Sequence, residues 1–152
     1  MQLDELDLRL LRVLQRDGRI SNAELSVRAG VSASSCHRRV ARLEAGGVIG
    51  GYAALLDRAT FGRTTTAFVE ITLRAQSEDV FDAFEMAVLD IPEVLECHLM
   101  AGSADYLLKV AVRDTEDFAQ LHRRHLARLP GVAQMQSSFS LRCVRESTEL
   151  PI

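Results

Sequence analysis

The sequence predicts an α+β chain in two parts, a small three-helix unit followed by a β-α-β-β-α-β unit. Two observations carry this reading. Between Ser21 and Gly47, two short amphipathic helical patterns flank a glycine turn. From Thr66 onward the periodicity changes to strands of alternating polarity separated by helical stretches. A third observation, the uneven spread of charge, suggests what the first part meets.

The first helix opens at Leu3-Asp4, with Asp4 as its cap and Leu6, Leu10, Val13 and Leu14 at helical spacing, and closes near Asp17-Gly18. Ser21 and Glu24 stand as a capping box for the second helix, whose inward face holds Leu25 and Ala29. Gly30 suits a left-handed exit and Ser32 a new N-cap. The third helix then runs from about Ala33 to Ala45 and stops at Gly46-Gly47. This is the helix-turn-helix layout, spanning about 21–45, whose second helix can enter a DNA major groove. The glycine-rich stretch from Val48 to Leu56 reads as a wing or hinge strand, giving a winged helix-turn-helix domain over 1–57 and a linker over 58–65.

In the second part, 66–152, Thr66 to Arg74 alternates, with Ala67, Val69, Ile71 and Leu73 on one face. Asp79 to Leu89 is helical, with Val80, Phe84, Ala87 and Val88 inward. Val94 to Met100 and Asp105 to Val112 read as strands joined by the turn Gly102-Ser103-Ala104. Thr115 to Leu129 is the second helix, stopped by Pro130-Gly131, and Ala133 to Val144 is the last strand. The order matches the ferredoxin-like split βαβ unit. Its helices cover one sheet face. The other face carries Phe68, Leu107 and Ala111 beside Glu70 and Lys109, so a second copy is expected to cover it, with Glu70 and Lys109 able to pair across neighbouring strands.

The third helix turns Cys36, Val40 and Leu43 inward and Ser34, Arg38, Ala41 and Arg42 outward, with Ser35 and His37 on the flanks. Small polar residues permit close approach to bases, and Arg grips guanine O6 and N7. Ser34, Ser35, His37 and Arg38 are therefore the expected base readers. Ser21, Asn22, Arg28, Ser32 and Arg42 complete the expected DNA-binding set, chiefly toward phosphates, while Arg39, near the core stripe, suits a structural ion pair. Net charge is −3 overall, yet residues 1–57 hold eight arginines against seven acids, and only Arg28, Arg38, Arg39 and Arg42 are charged between Glu24 and Glu44. So small a patch implies that affinity comes from several subunits on one double-stranded DNA.

Hydrophobic residues at 47% and charged residues at 26% describe a globular protein. No apolar run approaches the ~20 residues that span a bilayer, and the acidic start MQLDELDLRLL lacks the basic region of a signal peptide, so no membrane and a cytoplasmic location are expected. Cys36, Cys97 and Cys143 lie far apart, which fits a reducing compartment. Cys36-His37, Cys97-His98 and the His122/His125 pair each lack the further ligands a metal needs, and no nucleophile–base pair or phosphate loop appears. Neither a metal nor a catalytic residue is expected.

The runs LDELDLRLL, DGRISNAELS, AGVS, RRVARLEAGGVIGGY, AFVEITL, DVFDAF, ECHL, GSADYLLKV and LPGV together resemble the Lrp/AsnC (feast/famine) family of transcription regulators over nearly the whole chain. ECHL with DYLLK is similar to its leucine-responsive branch in particular. The resemblance implies an AsnC-type helix-turn-helix ahead of a RAM/AsnC-type sensing domain, and dimers assembling to octamers or higher. It also implies an amino-acid effector, leucine or another apolar amino acid, near the turn Ala101, Gly102, Ser103, Ala104 and Asp105. Asp105 matches an acidic position tied to effector response, whereas Ala104 stands where the family often has a larger residue. Physically, exposed turn N–H groups can take an α-carboxylate and Asp105 an α-ammonium. Gln134, Gln136 and Ser138, on one face of the last strand, can add polar contacts.

The expected function is thus a sequence-specific regulator whose assembly and DNA binding respond to an amino acid, with no cofactor. Two alternatives stand beside it: a sirohaem-decarboxylase-like enzyme on a similar fold, which would bind a tetrapyrrole, and a nucleoid architectural protein of low sequence specificity.

Overall fold

The computed structural model describes residues 2–152, which divide into two compact units: 2–55 together with 145–152, and 56–144.

The first unit contains α1 (Glu5–Leu14), α2 (Asn22–Ala29) and α3 (Ala33–Ala45). Helix α1 begins in a full capping box: Asp4 accepts the Asp7 N–H at 2.9 Å, and Asp7 accepts the Asp4 N–H at 3.1 Å. Ser21 caps α2 by accepting the Glu24 N–H, and Gly30 ends it at φ 69°, a left-handed conformation that a side chain would strain. Leu10, Leu25, Ala29 and Cys36 form the buried centre, ringed by Val13, Leu14, Ile20, Val31 and Val40. Residues 48–56 form no strand, contrary to the expected wing. Nothing in this unit offers them a ladder, since its ordered elements are all helices. Tyr52 instead docks on the helices, its ring lying against Gly18 and its hydroxyl donating to Glu44 at 2.9 Å.

Residues 145–152 group with this unit. Their backbone explains it. The Gln15 carboxamide accepts the Leu150 N–H at 2.6 Å and donates to the Leu150 carbonyl at 3.3 Å, as a strand neighbour would. Arg12 donates to the Ile152 carbonyl and Arg16 to Glu149.

The second unit is a four-stranded antiparallel sheet in the order β2-β3-β1-β4, built from β1 (Thr65–Leu73), β2 (Val94–Leu99), β3 (Tyr106–Val112) and β4 (Val132–Phe139). Helices α4 (Glu78–Leu89) and α5 (Thr115–Arg124) pack on one face, where Phe84, Val88, Phe118 and Leu121 meet Ala67, Val69, Ile71 and Leu108 in one core. Tyr106 anchors it: its ring centroid lies 4.6 Å from that of Phe84, and its hydroxyl donates to Glu85 at 2.6 Å.

Two element ends and one cross-strand pairing in this unit differ from the expectation. Helix α5 stops at Arg124 and a 3-10 turn, Leu126–Arg128, carries the chain onward. Pro130 holds Leu129 extended at ψ 132°, so the helix cannot continue to it. Strand β4 ends at Phe139 rather than Val144, because Phe139 already faces Ala67 near the start of β1 and little partner strand remains. Glu70 and Lys109 are not directly opposite. The register sets Lys109 against Phe68 and Glu70 against Leu107, and Lys109 donates to Glu96 of β2 at 2.8 Å.

Gly131 begins the return into β4 at φ 75°, where an added Cβ would sit 2.8 Å from Val80 Cγ1. Gly131→Ala combines a strained backbone with a clash against α4, so it should lower stability by about 1–3 kcal/mol. Urea unfolding should show a lower midpoint at unchanged slope, and a smaller loss when Val80 is also truncated to Ala.

Candidate nucleic-acid interface and effector turn

Helix α3 has 13 residues and so a length of about 20 Å, enough to lie along a major groove. Its orientation depends on a buried carboxylate that the sequence reading missed. Asp7, on α1, is fully buried. Arg39 reaches it at 2.7 Å and also holds Asp4 at 2.8 Å; Arg42 reaches the other Asp7 oxygen at 2.5 Å. The expected structural role of Arg39 is what this geometry describes. Burial pushes the Asp7 carboxyl upward, but the Asp4 N–H and the Arg39 and Arg42 guanidiniums outweigh it and hold it below the usual 3.8. Asp4 is lowered too, by the Asp7 N–H first and Arg39 second.

The candidate DNA-binding residues separate into two groups. Ser21, Asn22, Arg28 and Ser32 all have internal partners: Ser21 and Ser32 cap α2 and α3, Asn22 donates to the Ala33 carbonyl at 3.0 Å, and Arg28 pairs with Glu24. The Asn22 bond ties the start of α2 to the start of α3, which sets the turn between them. Ser34, His37 and Arg38 are exposed and Ser35 is partly buried. Among the described residues Arg38 and His37 make no ion pair or hydrogen bond, so both are free to meet a ligand. Arg42 is intermediate, with its side chain 47% exposed but one nitrogen committed to Asp7. On the other side of α3, Glu44 takes the Tyr52 hydroxyl, and burial together with that carboxylate pushes the Tyr52 phenol up to about 12.

In the second unit the chain turns between β2 and β3. Ala101, Gly102 and Ser103 are exposed, Ala104 is partly buried and Asp105 is buried. Met100 donates its N–H to the Asp105 carbonyl and Asp105 its own to Ile71, both at 2.8 Å, so the turn's base is pinned. The N–H groups from Ala101 to Ala104 have no protein acceptor among the described residues. Such a run of free donors is what an anion needs. The Asp105 carboxylate accepts the Leu73 N–H at 2.7 Å and the Gln76 carboxamide at 2.8 Å. Gln76 was not foreseen, since nothing in sequence spacing links it to residue 105.

Gln134, Gln136 and Ser138 do share a face of β4, opposite Thr72, Glu70 and Phe68 of β1. They are not gathered at the turn. Gln134 is at the end of the sheet where Ile71 meets Asp105, and Ser138 is four residues further along, about 13 Å away at strand rise. No group of three or more metal-ligating side chains occurs among the described residues.

A partnerless arginine on the second helix of a helix-turn-helix, in a chain that also carries a ferredoxin-like sheet with an open donor turn, defines a DNA-binding transcriptional regulator with a ligand-sensing unit. Comparison with known proteins names the family. An AsnC-type helix-turn-helix domain matches residues 3–44 and an Lrp/AsnC ligand binding domain matches residues 66–150. The chain belongs to the Lrp/AsnC family of transcriptional regulators. It is 45% identical to the leucine-responsive regulatory protein of Escherichia coli K12 over 99% of this chain and 92% of that one. Among solved structures, the transcriptional regulator NMB0573/L-Met complex of Neisseria meningitidis shares 37% identity at a TM-score of 0.94, covering 99% of this chain and 97% of that one. An AsnC family regulator from Agrobacterium tumefaciens shares 34% at a TM-score of 0.94, covering 98% and 97%.

Because Asp4 and Asp7 titrate below 3.8 in the fold, their stabilisation is complete well above that value and is lost as pH falls below it through their lowered folded values. Stability of the first unit should therefore hold from about pH 7 to 5 and drop below about pH 4. Asp7→Ala, which leaves Arg39 and Arg42 without their shared anion, should cost about 3 kcal/mol at neutral pH. Circular dichroism melts across pH should show the acid-sensitive step in the parent and a much weaker one in the variant.

Proposed function

We propose that this chain regulates transcription as an oligomer that reads DNA through Ser34, Ser35, His37 and Arg38, and changes its assembly when an apolar amino acid binds at the 101–105 turn. The observation that carries the DNA half is the partnerless Arg38 at the exposed N-terminal half of α3, beside Arg42, with Arg39 withdrawn into the Asp4/Asp7 pair. Phe68, Leu95 and Leu99 lie substantially exposed on the sheet unit, which favours covering of that unit by a second copy. In a dimer the two α3 helices would enter successive major grooves about 34–36 Å apart, or a multiple of that.

For the effector, one solved relative is an L-Met complex and the curated relatives are named leucine-responsive. Leucine and methionine are alike in size and apolar character. In this chain the free turn donors suit the α-carboxylate and Asp105 the α-ammonium, leaving side-chain preference to the surroundings of Ala104. The relatives are named as transcriptional regulators, which supports a non-catalytic role, and no helix among the described residues is long and apolar enough to cross a membrane. A cytoplasmic location is the reading that goes with DNA binding.

Sedimentation with and without a pool of the twenty amino acids tests the sensing half. A redistribution between dimer and higher assemblies, traced to leucine or methionine, is expected; an unchanged profile would remove the effector reading and leave DNA binding standing. On DNA, Arg38→Ala should weaken specific binding by about 1–3 kcal/mol while narrowing the gap to competitor DNA. Arg42→Ala should reduce all binding alike and flatten the salt slope by about one contact per subunit. Gel-shift titrations at three salt concentrations distinguish the two. A specific-to-competitor ratio near one in the parent would favour an architectural protein instead.

A further inference from the structure

The Asp105 carboxylate is buried at 7% exposure, and no cation faces it: neither oxygen has an arginine, lysine or histidine within ion-pair distance among the described residues. Arg74, next to Leu73 in sequence, directs its Nε to the Val132 carbonyl. Two neutral donors satisfy the carboxylate, and they differ in kind. The Leu73 N–H on Oδ2 belongs to the end of β1 and cannot leave without breaking the sheet. The Gln76 carboxamide on Oδ1 comes from the short loop between β1 and α4, on an exposed side chain with several rotatable bonds. A buried carboxylate held by neutral donors alone retains a strong demand for a cation. Only one of its two donors can be exchanged to meet that demand.

We infer that Gln76 is a built-in stand-in for the effector's α-ammonium: its carboxamide occupies Oδ1 of Asp105 when the site is empty and must swing away when an amino acid binds. The inference rests on the effector reading proposed above and assigns that site a competitor. An ammonium offers the same N–H to oxygen contact with a full positive charge, and charge-assisted bonds of this kind are roughly twice as strong as neutral ones. Gln76 keeps the empty carboxylate satisfied, which protects the end of the sheet, and at the same time raises the effector concentration needed for a response. The residue at position 76 then sets sensitivity without touching the bound ligand's side chain. It also couples the site to α4, because the released loop leads directly into Ser77 and Glu78 at the start of that helix.

Isothermal titration of the full chain with L-leucine, L-methionine and 4-methylpentanoate (leucine's skeleton without the ammonium) tests this. Gln76→Met keeps length and removes the donor, and Gln76→Ala removes both. If the carboxamide holds Oδ1 nine-tenths of the time, either variant should bind the preferred amino acid roughly tenfold more tightly. Binding of 4-methylpentanoate should not change, because it has no ammonium to compete. A general loosening of the loop would move both ligands together, and unchanged or weaker amino-acid binding in Gln76→Met would equally overturn the stand-in role. Asp105→Asn, whose oxygen can still accept the Leu73 N–H, separates the two levels of the argument. If it binds amino acids as the parent does, the turn reading itself falls; if it loses them while the Gln76 variants match the parent, only the stand-in falls. Amino-acid binding that emerges only once Gln76 is removed would support it most directly.

Discussion

The helix-turn-helix unit hangs on one buried negative charge. Asp7 lies on α1 and holds two elements at once: the Asp4 N–H at the start of its own helix, and Arg39 and Arg42 on α3. A carboxylate so deep in a unit of about 63 residues is tolerable only when partnered, and here both oxygens have donors, Arg39 on Oδ1 and Arg42 with the Asp4 N–H on Oδ2. The apolar centre of this unit is small, built around Leu10, Leu25, Ala29 and Cys36. Domains of this size are marginal when left to apolar burial alone. The ion network therefore contributes what the core cannot, a defined rotation of α3 about its own axis. Hydrophobic side chains can slide by a few degrees with little loss; a guanidinium shared between two carboxylates cannot.

That constraint also divides the arginines. Four basic residues within one short stretch look equivalent by composition, but the fold gives each a different task. Arg28 is consumed by Glu24 one helical turn away, Arg39 is consumed by the Asp4/Asp7 pair, Arg42 is shared, and of the four Arg38 alone points outward without a partner among the described residues. The local charge felt by a DNA molecule is accordingly smaller than a count of arginines suggests. Dependence on several subunits then follows from the fold as well as from the net charge of −3.

Periodicity exposed most of the architecture in advance. Ala67, Val69, Ile71 and Leu73 alternate with polar neighbours, and all four are buried, because a strand covered on one face leaves no other pattern. Ala33–Ala45 was legible from its serine cap and glycine end. Element ends were less so, since they depend on partners: β4 stops opposite the start of β1, and residues 48–56 form no strand for want of one. The capping box at Asp4 and Asp7 was written in the sequence as an acidic pair at i, i+3, but its second use, receiving two arginines from 32 and 35 residues away, was not. Local signals encode local bonds. The docking of 145–152 on α1 was hidden for the same reason, as a glutamine pairing with a backbone 135 residues distant has no periodic signature.

The candidate effector site shows the same division between local and distant information. Gly102 and Asp105 announce a turn with an acid at its foot, and the turn is where it was expected. What holds the acid depends on Leu73, at the end of β1, and Gln76, in the loop that follows it. Both carboxylates, Asp7 and Asp105, are thus buried side chains whose partners decide their function. Asp7 has two cations, and its position is closed. Among the described residues Asp105 has none, and one of its two donors is loosely held. In a single chain this contrast separates a charge that builds structure from one that is free to receive a ligand. A buried acid can receive an ammonium to the extent that the fold has withheld its counter-ion.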